Sequence, residues 1–225
     1  MNFDFKNSVN HFYGKEKQIR YFLIVFFIVG ILGVAVPVSR NLFITLIPLA
    51  LLLSILVLIP FHQSEIRKKE ILVFISILLV GFLIEAAGVR YGFIFGIYRY
   101  GDGLGIKILG APLLIGVNWL LLVYCTAVIF EKIPISSIWK ITGAAFLMVL
   151  YDYVMEQVAP WMDMWSFEGG SAPPRNYISW FILALFFHSL LKITGIRITN
   201  RIAPLIFYCQ LVFFIFLFII FKIAE

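Results

Sequence analysis

The chain has 225 residues, of which 62% are hydrophobic and 13% charged, with a formal net charge of +6. A soluble domain of this length has too little interior to bury so much apolar surface, so composition excludes that class and indicates an integral membrane protein. The basic residues flank apolar runs instead of gathering in one patch, which fits topology signals and argues against a nucleic-acid surface.

Residues 1–20 form a polar amino-terminal segment, and the apolar run after it is too long for a signal-peptide core, so it reads as a retained span. Residues 21–225 read as a single transmembrane domain. A spanning helix needs ~20 mostly apolar residues. Seven stretches qualify: 21–39, 42–61, 71–89, 111–130, 138–159, 177–196 and 202–221. The expected fold is all-α, a polytopic membrane bundle of about seven transmembrane helices with a Gly/Tyr-rich outer loop. Arg40-Asn41 is a tight turn, 62–70 a polar loop, and Pro134 and Pro173-Pro174 mark later breaks. Pro37, Pro48 and Pro60 fall within or at the ends of the first two spans, where kinks are tolerated. Cys125 and Cys209 lie inside apolar spans without a Cys-x-x-Cys, so neither a disulfide scaffold nor a zinc ribbon is indicated.

The amino-terminal segment and the second, fourth and sixth connections carry twelve Lys and Arg, against six on the opposite side. The positive-inside rule then places the amino terminus in the cytoplasm and the carboxyl terminus outside, in a multi-pass protein of the plasma membrane. Two outer loops stand out. Residues 90–110 interleave Tyr91, Phe93, Phe95, Tyr98 and Tyr100 with glycines, and Asp102-Gly103 is a turn signal, which suggests a short hairpin or a re-entrant cap. Residues 160–176 carry Trp161, Trp165 and Pro173-Pro174, and read either as an interfacial aromatic belt or as part of a lid.

Within the spans sit groups that lipid rejects: Glu85, Asn118, Asp152, Glu156 and His188. An ionisable side chain at membrane depth is costly unless it faces a protected interior, so each marks a functional hypothesis. At ~1.5 Å per residue, Glu85, Asn118, Asp152 and Glu156 all lie roughly 5–10 Å below the outer surface, with His188 deeper. Asp152 and Glu156 are four apart and share a helix face. Two like charges so placed cannot both ionise cheaply, so the pair is expected to titrate as a unit, an acid beside a base. The bland alternatives are a helix-packing carboxylate pair, a Glu85 neutralised by Arg90, an Asn118 that glues helices and a hydrogen-bonded core His188. Three histidines without His-x-x-x-His make a zinc hydrolase unsupported, and no Gly-x-Ser-x-Gly is present.

The run Glu85-Ala-Ala-Gly88-Val-Arg90-Tyr-Gly92, then Phe95-Gly96-x-Tyr98-x-Tyr100, Leu104-Gly105, Gly110-Ala-Pro112 and Trp119, resembles the first motif of the carotenoid biosynthesis membrane family. Asp152-x-x-x-Glu156-x-Val-Ala159, Trp165 and Pro174-x-Asn176-Tyr177-x-x-Trp180 resemble its second. The resemblance spans about residues 80–181, and the family's best-known members are carotenoid 1,2-hydratases. It implies hydration of the terminal double bond of an acyclic carotenoid end group, a hydro-lyase reaction that requires neither metal nor redox cofactor. Asp152 or Glu156 would supply the proton, and Glu85 or the remaining carboxylate would position water. Arg90, Tyr98, Tyr100, Asn118 and Trp119 are candidate substrate-binding residues, as are Trp165, Asn176, Tyr177, Trp180 and His188. The implied partners are the carotenoid and membrane lipid. The rival readings are a lycopene-type cyclase, which needs the same protonation but excludes water, and a proton-coupled transporter, which the absence of internal repeats disfavours.

Overall fold

The computed structural model describes residues 14–224, so the beginning of the polar 1–20 segment lies outside the described residues. Helix α1 spans Glu16–Ala35, α2 Pro37–Thr45, α3 Ile47–Leu58, α4 Lys68–Tyr91, α5 Leu114–Glu131, α6 Ser137–Glu156, α7 Pro174–Ile193 and α8 Ala203–Ala224. Among the described residues, six helices are long and apolar enough to cross a membrane, and the pair α2–α3 makes a seventh when taken as one span. The expected all-α bundle is therefore the observed one.

The first two spans differ from expectation in where they break. Helix α1 stops at Ala35, not residue 39, because Pro37 occupies the first turn of α2. Its freed carbonyls are taken up from α2: Ser39 Oγ donates to Gly33 O (2.8 Å) and Arg40 Nε to Val34 O (3.0 Å). The chain then bends by 54° between α2 and α3. Pro48, in the first turn of α3, has no N–H to continue the α2 ladder.

Helices α4 and α5 approach closely through small residues, as membrane helices do. A Cβ on Gly81 would lie 2.8 Å from Cβ of Trp119, and one on Gly116 would run into Leu78 O. Gly81 and Glu85 are one turn apart, so the same contact faces Glu85 toward Trp119. At its end α4 is closed by Gly92, whose φ of 68° is the left-handed conformation of a helix cap.

The loops that follow α4 and α6 carry the little sheet found among the described residues. Strand β1 (Tyr98–Tyr100) pairs antiparallel with β4 (Trp165–Phe167), and β2 (Lys107–Ile108) with β3 (Ala111–Pro112). The hairpin expected around Asp102-Gly103 forms a turn, but the partner of β1 comes from the other loop, 65 to 69 residues further on. The two unusual loops are thus one structure. At the opposite end, Gln63 N donates to Thr199 O (2.8 Å), and Asn200 Nδ2 donates to Leu58 O (2.8 Å), tying the 62–67 connection to the α7–α8 connection.

A ring of carboxylates and aromatic donors

Glu85 is buried at 3% exposure and accepts three hydrogen bonds. Tyr98 and Tyr100 donate to Oε2 at 2.6 and 2.8 Å, and Trp119 Nε1 donates to Oε1 at 3.0 Å. The alternation of β1 produces this: Tyr98 and Tyr100 point inward and Arg99 outward. Burial, with the nearby Glu85 charge, pushes both phenols well above their ordinary pKa, so both remain donors. Glu85 is held only as an acceptor.

Asp152 and Glu156 share one face of α6, as their spacing required, and both are buried. One side chain clamps them: Asn176 Nδ2, in the first turn of α7, donates to Asp152 Oδ2 (2.8 Å) and to Glu156 Oε1 (3.3 Å). Trp165 Nε1 adds a bond to Glu156 Oε2 at 2.9 Å. Asp152 Oδ1 is buried and has no hydrogen-bond partner. It is the free acceptor, or free proton position, of the cluster.

The two halves close on each other. Tyr100 faces Trp165 across the β1–β4 ladder, with their rings edge-on at 5.9 Å. One ring therefore serves Glu85 while its cross-strand neighbour serves Glu156. On the other side Trp119 stacks on Trp180 at 4.1 Å, one helical turn beyond Asn176. Glu85, Tyr100, Trp165, Glu156, Asn176, Trp180 and Trp119 thus form a closed circuit drawn from α4, β1, β4, α6, α7 and α5. Glu85 stands close enough to act electrostatically on both other carboxylates.

An apolar cavity of about 590 Å³ adjoins this circuit. Trp165, Asn118, Tyr151 and Met155 line it on the bundle side. Tyr151 and Met155 each precede a site carboxylate by one residue, a rotation of ~100° along the helix, so α6 presents apolar side chains to the cavity and acids to α7. The far wall is α1 with the bent α2–α3 pair, including Leu46, Leu49 and Leu56, which are themselves exposed on the outer surface. The cavity therefore reaches the lipid-facing side.

Not every candidate joins the circuit. Arg90 does not neutralise Glu85. It is exposed and lies over the Tyr91 ring at 5.7 Å. Tyr177 packs against the exposed Tyr153 on the flank of α6 and α7. His188, a candidate substrate-binding residue, lies away from the circuit: its Nε2 pairs with Thr126 Oγ1 (3.1 Å) and its ring lines a separate cavity at the other end of the bundle. Conversely, no motif marks the cavity wall from α1 to α3, or Asp163, which anchors the Asp102 turn by accepting from Asp102 N at 2.9 Å. Among the described residues no group of three His, Cys, Asp or Glu side chains is placed to hold a metal ion.

The fold and site define a polytopic membrane protein with buried acids beside a lipid-accessible apolar cavity. Residues 22–224 match the family described as carotenoid biosynthesis protein, and the chain belongs to that family. No curated protein and no solved structure matches. A role in carotenoid biosynthesis follows from the family.

Proposed function

We propose that the protein hydrates the terminal double bond of an acyclic carotenoid. The observation that carries this reading is the Asp152–Glu156 pair, clamped by one amide, with Asp152 Oδ1 left without a partner and Tyr151 and Met155, the residues before the two acids, lining an apolar cavity. A polyene end dissolved in lipid gains little by entering an apolar cavity, since lipid is equally apolar. Recognition then rests on shape and on the polar groups at the cavity's inner end.

Neither acid lines the cavity, so the polyene end has to pass between Tyr151, Met155 and Trp165 to reach them. Asp152 then delivers a proton through Oδ1 to the less substituted carbon of the double bond, leaving a tertiary cation. Glu156, oriented by Trp165 and Asn176, takes a proton from the water that attacks the cation, and a tertiary alcohol forms. Returning that proton to Asp152 restores the site, so substrate plus water balances product. The Trp165 ring, which lines the cavity, presents a π-face to the cation. Glu85 holds the two tyrosines and Trp119 in place and adds negative charge near the cation. The protein is read as lying in the plasma membrane, amino terminus in the cytoplasm and site toward the outer leaflet.

The test is expression in a host that accumulates an acyclic carotene, with mass analysis of the pigments. A gain of one water per modified end is expected. A cyclised product of unchanged mass would replace hydration by cyclisation, and unmodified carotene in the presence of inserted protein would remove the reading.

A further inference from the structure

The cavity that receives His188 is unlike the first. It measures about 520 Å³ and lies where α5 ends, α6 begins and α7 ends. Three cations line it from three elements: Lys140 on α6, Lys192 in the last turn of α7 and Arg197 in the connection to α8. Glu131 is the one acid among the lining residues, and it is engaged by Lys140, at 3.6 Å between charged groups and 2.8 Å to its carbonyl. Lys192 and Arg197 form no ion pair among the described residues.

Two further features fit an oxyanion that also carries a hydroxyl. Ser137, the first residue of α6, lines the cavity, and Ser136 before it makes no capping hydrogen bond, so the leading N–H groups of a 20-residue helix are left for a ligand. His188 is buried at 5% exposure. The Thr126 hydroxyl donates to Leu122 O (2.7 Å), so it accepts from His188 Nε2. This leaves Nδ1 as an acceptor, with no partner among the described residues, suited to a ligand hydroxyl.

We propose that this cavity binds a phosphate group of uncompensated negative charge, carried by an anionic lipid headgroup or free in solution. Its position at the ends of three spans is headgroup level, where basic pockets between helices take such groups. The proposal does not depend on the hydratase reading, since the cavity shares no residue with the carboxylate circuit.

The test uses the full chain purified in detergent, with binding read by native mass spectrometry and thermal unfolding. Phosphatidylglycerol, phosphatidylcholine and inorganic phosphate are the probes. The pocket variant is Lys192→Ala with Arg197→Ala, and the control is Lys68→Ala with Lys69→Ala, all four side chains being exposed and toward the same end of the bundle. Expected is tighter binding of phosphatidylglycerol than of phosphatidylcholine, weakened by about tenfold or more in the pocket variant and retained in the control. If inorganic phosphate binds, is lost in the pocket variant and leaves nothing for the lipid to add, the site stands and its source is free phosphate. Equal losses in both variants, or no preference for the anionic probes, would overturn the proposal.

Discussion

The two ends of this bundle treat charge in opposite ways. At the loop-rich end three buried carboxylates meet donors from four other elements, and only one oxygen, Asp152 Oδ1, is left over. At the other end two cations and a helix terminus face a cavity without a matching set of acids. The first arrangement is preorganised, with its geometry fixed before any substrate arrives. The second is incomplete by itself. Both are polar sites in an apolar chain, but only the first is built to hold reacting atoms in a set position.

The sharpest way to break the comparison is at the pair on α6. Asp152→Asn and Glu156→Gln should each lower hydrated product by about 10²–10⁴-fold, the usual share of general acid–base catalysis, while the protein still inserts. Normal pigment profiles from both variants would end the acid–base assignment. Next comes the helix contact that aims Glu85. Gly81→Leu would drive its side chain into Trp119, and overpacking of this kind costs about 1–3 kcal/mol. Lower thermal stability in detergent together with reduced product is expected, and an unchanged melting curve would show that the α4–α5 contact is looser than described. Trp165→Phe keeps an aromatic face but removes the N–H on Glu156. Product should fall about tenfold, roughly 1.4 kcal/mol in barrier, with folding retained. Tyr98→Phe leaves Glu85 two of its three donors, and the loss should be smaller, at the low end of a hydrogen bond's net worth, about 0.5–1 kcal/mol, read as a few-fold drop in initial rate. Thr126→Val, at the far end, should leave the pigment products unchanged. A large effect there would mean that the two ends are coupled.

Much of the membrane architecture was readable because lipid is a strict solvent: runs of apolar residues and their basic flanks mark spans whatever the tertiary packing. The break inside the second span was not, since Pro48 is compatible with a kinked helix or with a new start. The start of α2 was hidden for a different reason: it is fixed by the side-chain bonds of Ser39 and Arg40 to carbonyls at the end of α1, which an apolar run does not reveal. The acids were visible for the same solvent reason. Their partners were visible only in part. Asn176 and Trp165 stood out as polar and aromatic residues, but a bond shared between Asp152 and Glu156 depends on where α7 docks. The β1–β4 ladder joins residues far apart in sequence, and each strand is only three residues long, too short to show a period. His188 was drawn toward the acids by its type, whereas Thr126, its actual partner, gave no signal, because a hydroxyl bonded to its own helix carbonyl looks like any other buried threonine.

The three-residue pairing of β1 with β4 makes loop length part of the chemistry. Tyr98 and Tyr100 reach Glu85 only because the residue between them points away. A single residue inserted between Arg99 and Tyr100 would put the newcomer where Tyr100 stands and turn the phenol to the outside. In a surface hairpin such an insertion is often harmless. Here it would unhook Glu85 and, through the Tyr100–Trp165 neighbours, disturb Glu156 as well, so these outer loops should tolerate side-chain exchange far better than any change in their residue count.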